Sequence, residues 1–410
     1  MHCVMAKAEL HFGTTGVCHV ELHPERAHVV RAAPAEISDP AQAVRSALEH
    51  PLDFPPLGQL FTPGDRVVLA LDRNTPQAGL VLAEVLPILQ QRGVAPDHVT
   101  ILQPAALSGE TPDPRSNLAP EFREAVVWKI HDPTDETQLG YLATTARNER
   151  IYLARDLLDA DVVVSIGGME YDPVIGFRGT GSVFYPGLSS SAAIAHAHGM
   201  AHSELDPDDE RPLRQEIDEI AWLVGAQFSI QVVPAGGSGV AAVLAGAVES
   251  VAKAGKELLA KHWLVETPER VPVVVCAVDA DAGGHGWDQV GAAMAAARSL
   301  VTKGGRIVIL SQLHGTLGAG MRLISESRSP RDALQPLRQL TPPDWIAASQ
   351  LAMAADWAHL YLLSDLHPEA VDSLFVSRMT HERELQRLLD AAPAALLLPS
   401  AQHVCGHVLG

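Results

Sequence analysis

A series of short apolar runs, rich in β-branched residues and separated by segments of helical pattern, constrains the fold of this chain most. Continuous runs of this kind are typical of strands that are buried on both faces of a parallel sheet. Strands that alternate with helices predict βαβ units, and therefore the α/β fold class. The runs are Arg66–Asp72, His98–Gln103, Asp161–Ile166, Pro272–Val278, Arg306–Ser311, His359–Ser364 and Ala394–Leu398.

The segments around these runs complete the predicted outline. We expect two lobes, each with a mostly parallel sheet flanked by helices, and a ligand cleft between the lobes. The spacing of apolar residues predicts a short β-ribbon over Ala8–Phe12 and Val17–Leu22, and helices over Ala78–Arg92, Ser189–His202, Leu213–Trp222, Ala241–Trp263 and Gln289–Thr302.

The best candidate for a domain boundary is the segment VETPERV, residues 265–271, which follows the longest predicted helix and precedes a predicted strand. We therefore expect an N-terminal α/β domain over residues 1–267 and a C-terminal α/β domain over residues 268–410. The last residues, about 399–410, are expected to return to the first lobe.

The charge balance restricts the classes of partner. The 410 residues include 30 Lys and Arg against 49 Asp and Glu, a formal net charge of −19, whereas nucleic-acid-binding surfaces are basic. The first residues lack the pattern of a secretory signal, and no apolar stretch approaches the length of a membrane span. We expect a cytoplasmic protein that binds a small-molecule substrate and neither nucleic acid nor membrane, with a homodimer as one option for its assembly.

Several common motifs are absent. The sequence contains no G-x-G-x-x-G, G-x-x-x-x-G-K, G-x-S-x-G or H-E-x-x-H, and these absences argue against ordinary dinucleotide binding, P-loop chemistry and α/β-hydrolase chemistry. The 4 cysteines are scattered without a C-x-x-C pair, so neither a zinc ribbon nor a redox pair is indicated. Cys405, with His403 and His407 on either side, is a minor candidate for a terminal metal site.

Two loops that follow predicted strands carry candidate ligand-binding groups. The first, Asp72-Arg73-Asn74-Thr75-Pro76, can either cap the next helix or hydrogen-bond a phosphate or a sugar. The second contains the glycine-rich stretch Gly176-Phe177-Arg178-Gly179-Thr180-Gly181-Ser182. Its glycines allow the backbone to approach a ligand closely, or they serve a structural turn only. The residues alone leave both interpretations open.

Histidines and a further loop provide the other candidates. His196, His198 and His202 follow the glycine-rich stretch, and on a helix His198 and His202 share a face, which makes them candidate metal ligands. Isolated histidines are more often structural. In the second lobe, the loop from Asp279 to Gln289 either caps a helix or presents His285 or Gln289 to a ligand.

Taken in order, these elements resemble the lactate racemase family that uses a nickel-pincer nucleotide. Its members carry a D-x-T-R-P loop, a glycine loop of the form G-[FY]-S-G-G-x-K-x-x-x-P-G and a His-rich helix. The stretch Gly176–Gly187 matches that glycine loop in spacing without interruption. His131-Asp132, Thr145–Tyr152 and Ile217–Val233 also resemble family elements, so the resemblance spans roughly residues 60–310.

The resemblance implies a racemase or epimerase of a small 2-hydroxy acid. In the family a histidine takes the hydroxyl proton, the α-hydride moves to the cofactor's pyridinium ring, a histidine binds nickel, and a lysine tethers the cofactor. By position, it implies His198 as the nickel ligand and Gln289 as a catalytic polar residue that faces the substrate. It also implies a cofactor-binding set made of Asp72, Asn74, Gly176, Gly179, Thr180, Gly181 and Ser182.

The chain departs from the family pattern where the chemistry lies. Departures are Ser182 at the tethering lysine, Thr75 at the carboxylate-binding arginine, Ala292 at the second-lobe lysine and Asp172 at a catalytic histidine. We therefore expect a nickel-pincer nucleotide that is not covalently tethered, and Asp172 as a base that needs burial to work near neutrality. Arg73 and Arg178, with Thr75, are expected to bind the substrate.

Two alternatives stay open. The chain could be a homologue that binds a nucleotide or a small organic acid without turnover, because the departures fall on the chemistry while the scaffold persists. Unrelated metal-dependent chemistry at His198 and His202 is the second alternative.

Overall fold

The computed structural model describes residues 6–106, 110–145, 150–199, 209 and 211–409. The strands, in chain order, are β1 (Ala6–Phe12), β2 (Gly16–Leu22), β3 (Ala27–Val30), β4 (Val67–Leu71), β5 (Val99–Pro104), β6 (Val127–His131), β7 (Leu139–Thr144), β8 (Arg150–Ala154), β9 (Val162–Gly168), β10 (Glu170–Asp172), β11 (Gly176–Arg178), β12 (Phe228–Pro234), β13 (Val240–Ala247), β14 (Leu264–Thr267), β15 (Val271–Ala277), β16 (Val301–Leu310), β17 (His359–Leu363), β18 (Val376–Met379), β19 (Ala394–Leu398) and β20 (Cys405–Val408).

The α-helices alternate with the strands. They are α1 (Pro40–Glu49), α2 (Ala78–Gln91), α3 (Pro120–Ala125), α4 (Arg155–Asp159), α5 (Ser191–Gly199), α6 (Pro212–Leu223), α7 (Val248–Trp263), α8 (Trp287–Leu300), α9 (Ala319–Ser325), α10 (Pro330–Leu340), α11 (Trp345–Trp357), α12 (Pro368–Asp372) and α13 (Glu382–Ala391). Among the described residues, none of these helices has both the length and the apolar character needed to cross a membrane.

The chain folds into two compact units. The central unit comprises Ala35–Lys261, and the terminal unit comprises Met1–Pro34 together with His262–Gly410. The predicted division at residue 267 places residues 1–34 in the first domain, which differs from the structure. The difference arises because β3 adds to the edge of the terminal sheet by parallel pairing with β19. The last residues also stay in the terminal unit, where β20 pairs with β14.

The central unit contains a six-stranded sheet in the order β13-β12-β9-β4-β5-β6. All neighbours pair in parallel except β12 and β13, which are antiparallel. One face of this sheet forms the main apolar core of the unit. That core joins Leu69, Leu71, Val164, Ile166, Ile230 and Val232 to the buried residues of α1 and α2.

The terminal unit contains a second six-stranded sheet, in the order β18-β17-β16-β15-β19-β3, with parallel pairing throughout. Its two faces are both apolar. One face packs against the ribbon of β1 and β2 and against α13. The other face presents Val274, Cys276, Ile307 and Ile309, all fully buried, and α8 contacts β15 and β16.

The predicted α/β class with two mostly parallel sheets is confirmed, and every apolar run predicted as a strand lies in one of the sheets. The predicted β-ribbon is confirmed as β1 and β2. The helix predicted over Ala241–Trp263 is wrong in its first part, because Val240–Ala247 is strand β13 and only Val248–Trp263 is helical. Alanine-rich segments favour helix, but antiparallel pairing along β12 overrides that propensity.

Candidate ligand site at the glycine loop

The topology of the central sheet selects one edge as the place for a ligand. After β4 the chain moves outward through β5 and β6, and it then returns to the other side of β4 as β9. In open α/β sheets, ligands bind beyond the carboxyl ends of the strands where the order reverses in this way. Asp72 and the pair Gly167-Gly168 lie at the carboxyl ends of β4 and β9.

The sheet face opposite the apolar core is polar near this edge. In register across the strands, Ser165 lies beside Ser229, and Gly167 lies beside Gln231. Ser165 Oγ donates to Ser229 Oγ at 2.8 Å, and Gln231 Nε2 donates to the same oxygen at 2.8 Å. These three polar side chains are fully buried. A strand in a parallel sheet is usually apolar on both faces, so this row is a departure that needs a cause.

The glycine loop, Gly176–Gly187, packs directly on this polar face and on α6. Gly179 has φ +114°, and a Cβ there would overlap Met169 Sδ and stand 2.9 Å from Gln231 Oε1. A Cβ on Gly181 would lie 2.9 Å from the Cβ of Ala221 on α6. Both glycines are therefore needed for the close packing of the loop on its own scaffold, which gives the structural interpretation of the motif a physical cause.

Ser182 completes the loop from within. Its side chain is 7% exposed, and its Oγ accepts a hydrogen bond from the backbone N–H of Gly179 at 3.0 Å. Thr180, between them, has φ +53°, a left-handed conformation that is uncommon outside glycine. The position predicted for a tethering lysine is therefore occupied by a short side chain that holds the loop closed.

The loop after β4 is also held by its own side chains. Asp72 is 5% exposed, and one carboxylate oxygen accepts from the backbone N–H of Arg73 at 2.8 Å. Thr75 is buried and donates its hydroxyl hydrogen to the carbonyl of Asp72 at 2.7 Å. Asn74 Nδ2 lies 3.5 Å from Glu170 Oε2. The only hydroxyl proton of Thr75 is therefore used inside the turn, although its predicted substrate contact stays untested.

The predicted base and the predicted carboxylate binder pair with each other. Arg178 Nε lies 3.6 Å from Asp172 Oδ2, and both side chains are mostly buried. The other oxygen of Asp172 accepts from the backbone N–H groups of Val174 and Ile175 at 2.8 and 3.0 Å. Asp172 and Arg178 thus lie on the small hairpin of β10 and β11, at the start of the glycine loop.

A buried cation behind the loop was missed by the sequence analysis. Arg214, on α6, donates to Thr180 Oγ1 at 2.9 Å and lies 2.9 Å from Asp218 Oδ1. Its guanidinium lies 4.5 Å from the ring centroid of Phe177, and Lys256 Nζ of α7 lies 4.1 Å from the same centroid. Burial lowers the pKa of Arg214, but an arginine side chain keeps its proton in proteins. Fixed positive charge therefore lies at the glycine loop of this acidic chain.

Gln231 was also missed, although the sequence carries a signal for it. In FSIQVVP, Ser229 and Gln231 interrupt an otherwise apolar buried strand with a period of two, as Ser165 and Gly167 do in β9. Period-two polarity in a strand that should be apolar on both faces indicates one face with a special contact.

The structure describes little of the histidines predicted as metal ligands. His198 lies in the last turn of α5, but its side chain is outside the described part of the chain, and so is all of His202. The predicted nickel ligand therefore stays a prediction. Over residues 6–106, 110–145, 150–199, 209 and 211–409, no group of three or more His, Cys, Asp or Glu side chains is arranged to hold a metal ion.

The terminal sheet has a switch point of its own. Its strands run outward from β15 through β16, β17 and β18, and β19 then returns beside β15. Asp279 follows β15, and one of its carboxylate oxygens accepts a short hydrogen bond from Ser400 Oγ, which follows β19. Gln402 bonds both the backbone N–H and the carbonyl of Asp279, each at 3.3 Å.

Asp281 and Gln289 extend this network. Asp281 Oδ1 accepts from Gly283 N at 2.8 Å and from Gln289 Nε2 at 3.0 Å. Gln289 is 8% exposed, and its Oε1 accepts from Gly286 N at 3.0 Å, which closes the first turn of α8. Burial raises the pKa of Asp281 to about 6, with a further rise from nearby Asp279. The predicted catalytic Gln289 thus has its amide engaged at both ends, and its proposed role is untested.

His285 is held as a neutral ring. Its Nε2 accepts from the backbone N–H of Gln312 at 2.9 Å, so Nδ1 carries the proton and donates to the Asp279 carbonyl at 3.2 Å. Burial lowers the pKa of His285, in agreement with this arrangement. Gln312 Oε1 in turn accepts from the backbone N–H groups of Thr14 and Thr15, at 2.8 and 3.1 Å.

The minor terminal metal site is disfavoured by geometry. His403 lies in a short 3-10 turn before β20, it is 3% exposed, and its ring centroid is 5.0 Å from that of Trp263. Burial lowers the pKa of His403 to about 4. Since His403 precedes the strand that holds Cys405 and His407, the three do not alternate along one extended segment.

Comparison with known proteins agrees with this geometry. Residues 13–207 match the family model described as the lactate racemase N-terminal domain. The fold is similar to that of the lactate racemase apoprotein from Thermoanaerobacterium thermosaccharolyticum, with a TM-score of 0.81 and 19% identity over 98% of this chain and 100% of that one. It is also similar to a structural-genomics target from Thermotoga maritima, with a TM-score of 0.68 and 14% identity over 91% and 100% of the two chains. No curated protein sequence matches the chain.

Proposed function

We propose that this chain is a racemase or epimerase of a small 2-hydroxy acid, because residues 13–207 match the family model described as the lactate racemase N-terminal domain. The reaction would be the reversible transfer of the α-hydride to a nickel-pincer nucleotide. The proposal rests on the match of residues 13–207 to that family model, because likeness to solved structures at 19% and 14% identity carries the fold alone.

The observation that supports catalysis most directly is the ion pair between Asp172 and Arg178. A 2-hydroxy acid brings a carboxylate, and Arg178 is a guanidinium 3.6 Å from Asp172 Oδ2 at the start of the glycine loop. A substrate carboxylate that replaces Asp172 on Arg178 would release Oδ2. That oxygen could then accept the substrate's hydroxyl proton, while the other oxygen stays on Val174 N and Ile175 N.

The residues fit the implied cofactor only without a covalent bond. Ser182, which aligns with the tethering lysine, has no amine, and its Oγ is occupied by Gly179 N. The other candidate groups of the loop are hydrogen-bonding groups, and Arg214 supplies positive charge behind it. When bound, the nickel-pincer nucleotide would supply a hydride acceptor. Asp72, Asn74 and the loop backbone would hold it, and His198 is the candidate nickel ligand.

The deciding experiment is a racemisation assay on protein that is co-expressed with the machinery for pincer synthesis. Each enantiomer of lactate, malate and a sugar acid is incubated with the protein, and the product is resolved by chiral chromatography. We expect turnover with nickel in stoichiometric amount, and loss of nickel in His198→Ala. Asp172→Asn and Arg178→Ala should each lower kcat/KM by about a hundredfold.

The matched control is the surface pair Arg66 and Asp161, whose side chains are 3.2 Å apart and half-exposed. Arg66→Ala and Asp161→Asn change the same kinds of group away from the loop, so turnover should stay at the wild-type level. Wild-type activity in Asp172→Asn would remove that residue from the mechanism, and a protein without nickel or turnover would remove the enzyme proposal.

The second candidate function is binding without turnover. The ion pair between Asp172 and Arg178 favours this alternative, because the two charges already neutralise each other without a substrate. Saturable binding of a nucleotide or a small acid, with no isomerisation in the presence of nickel and cofactor, would establish this alternative.

A further inference from the structure

The amide of Gln231 is a buried polar group in the central unit with an acceptor that the described fold leaves without a partner. Its side chain is fully buried on β12, and Nε2 donates to Ser229 Oγ at 2.8 Å. Its Oε1 has no hydrogen-bond partner within the described part of the chain. A buried acceptor without a partner destabilises a fold, so each one calls for an explanation.

The position of Gln231 Oε1 explains why it lacks a partner in the protein. Gln231 Oε1 lies 2.9 Å from where a Cβ would stand on Gly167 of β9, and 2.9 Å from where a Cβ would stand on Gly179 of the glycine loop. Asp72 Cβ lies 3.5 Å from that same position on Gly167. Asp72 and Gln231 are therefore both neighbours of Gly167, near the carboxyl ends of β4 and β9, where the topology places a ligand.

Asp72 offers a second open group beside Gln231. One of its carboxylate oxygens accepts from Arg73 N at 2.8 Å. The side chain is 5% exposed, and a carboxylate has more acceptor sites than this one bond uses. The Asp72 carboxylate and Gln231 Oε1 thus lie near the same glycine, and each can accept a hydrogen bond.

The chemistry of the two groups selects the ligand. The nitrogen and oxygen of an amide are assigned from their hydrogen bonds, and exchanging them would let the Ser229 hydroxyl donate to Gln231 and leave an N–H₂ group without a partner. A hydroxyl group satisfies either orientation, because it both donates and accepts. A carboxylate such as Asp72 accepts only, and a hydroxyl can donate to it.

We propose that Gln231 and Asp72 bind a hydroxyl group of the ligand over Gly167. The inference deepens the proposed function and rests on it only for placing the ligand at the glycine loop. The hydroxyl belongs either to the sugar of a nucleotide or to the 2-hydroxy acid, and the same pair of groups serves both.

The test uses the full-length chain, purified without the pincer-synthesis machinery, and two matched pairs of probes. AMP is compared with its 2′,3′-dideoxy analogue, and lactate is compared with propionate. Dissociation constants are measured by calorimetry for the wild type, Gln231→Met and Asp72→Asn, and the melting temperature of each protein is measured without ligand. The matched control is Gln350→Met, since Gln350 of α11 is another buried glutamine whose Oε1 lacks a partner among the described residues.

We expect one hydroxyl-bearing probe to bind the wild type about tenfold more tightly than its analogue, and Gln231→Met to abolish that difference. Asp72→Asn should reduce it as well, and Gln350→Met should leave it unchanged. The probe pair that responds identifies the source of the hydroxyl. Gln231→Met should also melt at or above the wild-type temperature, because it removes an unsatisfied group; a purely structural glutamine would lower it.

Two results would overturn the inference. One is a wild type that binds neither hydroxyl-bearing probe more tightly than its analogue. The other is a Gln231→Met protein, or Asp72→Asn where the first variant does not fold, that keeps the full discrimination. A racemisation assay without turnover would reject the proposed function and leave a positive discrimination standing, so the two failures are distinguishable.

Discussion

The two sheets of this protein reverse their strand order in the same way, but their switch points differ in how the polar groups are used. In the central unit, polarity continues below the edge into the sheet, through Ser165, Ser229 and Gln231. In the terminal unit both faces of the sheet are apolar, and the polar groups lie in the loops beyond it. There Asp279 and Ser400 bond to each other.

The difference teaches which edge has spare capacity for a ligand. At the terminal edge, Gln402 bonds Asp279 and Gln289 bonds Asp281, and these bonds stabilise the loops. At the central edge, Gln231 Oε1 has no partner among the described residues, and the Asp72 carboxylate can accept more hydrogen bonds than the one from Arg73 N. Since unsatisfied buried groups oppose folding, their retention indicates a use other than stability.

The sharpest way to break the central edge is Gly179→Ala. Gly179 has φ +114° and ψ 172°, a region that is almost restricted to glycine, and a Cβ would overlap Met169 Sδ. We expect a loss of about 4 kcal/mol in the free energy of unfolding, measured in urea. The control is Gly225→Ala, at φ +78° with nothing within 4 Å of the added Cβ, which should lose about 1 kcal/mol. Equal losses would show that the loop does not pack closely on the sheet.

The terminal edge is tested by the pH dependence of stability. Burial raises the pKa of Asp281 from 3.8 to about 6, so its contribution is complete below pH 3.8 and is lost as the pH rises through 6. Burial lowers the pKa of His403 from 6.5 to about 4, so its contribution is complete above pH 6.5 and is lost as the pH falls through 4. Each contribution is worth about 3 kcal/mol of stability, and the two oppose each other between pH 4 and pH 6.

Removing either group should therefore leave the pH dependence of stability that the other group causes. Relative to the wild type, Asp281→Asn should lose stability between pH 6 and pH 4, and His403→Phe should gain it, as followed by urea unfolding at each pH. His359→Gln, at an exposed histidine of the same unit, is the control and should leave the profile unchanged. Profiles of Asp281→Asn and His403→Phe that coincide with the wild type would contradict the assigned burial.

A smaller effect is expected from the cation behind the glycine loop. Arg214→Gln removes the donor to Thr180 Oγ1 and the cation beside Phe177, and we expect a loss of about 2 kcal/mol. Hydrogen exchange should increase in the glycine loop more than in the rest of the central unit. Arg66→Gln, at the exposed ion pair with Asp161, should lose about 0.5 kcal/mol. Uniform exchange throughout the unit would mean that Arg214 does not hold the loop in particular.

The smallest expected effect compares a hydrogen bond at the terminal edge with the unpaired amide oxygen of Gln231 at the central edge. Ser400→Ala removes a donor from the buried carboxylate of Asp279 and should lose about 1 kcal/mol. Gln231→Met, at the unsaturated edge, should lose nothing. Calorimetric melting of both variants compares them, and the comparison between the two edges fails if the order is reversed.

The sequence predicts more of the scaffold than of the site. Continuous apolar runs such as Asp161–Ile166 have one structural use, so the strands and the α/β class follow directly. Val240–Ala247 was mistaken for helix because its alanines favour helix, and only pairing with β12 makes it a strand. Residues 1–34 were placed in the wrong unit because the partner of β3 lies more than 360 residues away along the chain.

The candidate site shows the same limit. The glycine loop and Asp72 could be located from spacing, since a motif is local in sequence. The role of each group could not be predicted, because its partner is set only when the loop is folded. Asp172 then pairs with Arg178, Ser182 Oγ accepts from Gly179 N, and Thr75 donates to the Asp72 carbonyl. Arg214 and Gln231 follow the last residue of the motif by 27 and 44 residues, and nothing in the motif itself refers to them.

The sequence by itself determined the class of the fold, the main buried strands and the place of the glycine loop, because apolar periodicity and local turns act over a few residues. The tertiary structure decided which polar groups satisfy each other and which do not. Hydrogen bonds between Ser165, Ser229 and Gln231 depend on strand register, and the spare oxygen of Gln231 depends on how Gly179 packs over it. Hydrogen-bond satisfaction is a property of three-dimensional neighbours, so the ligand-facing edge becomes visible only in the folded chain.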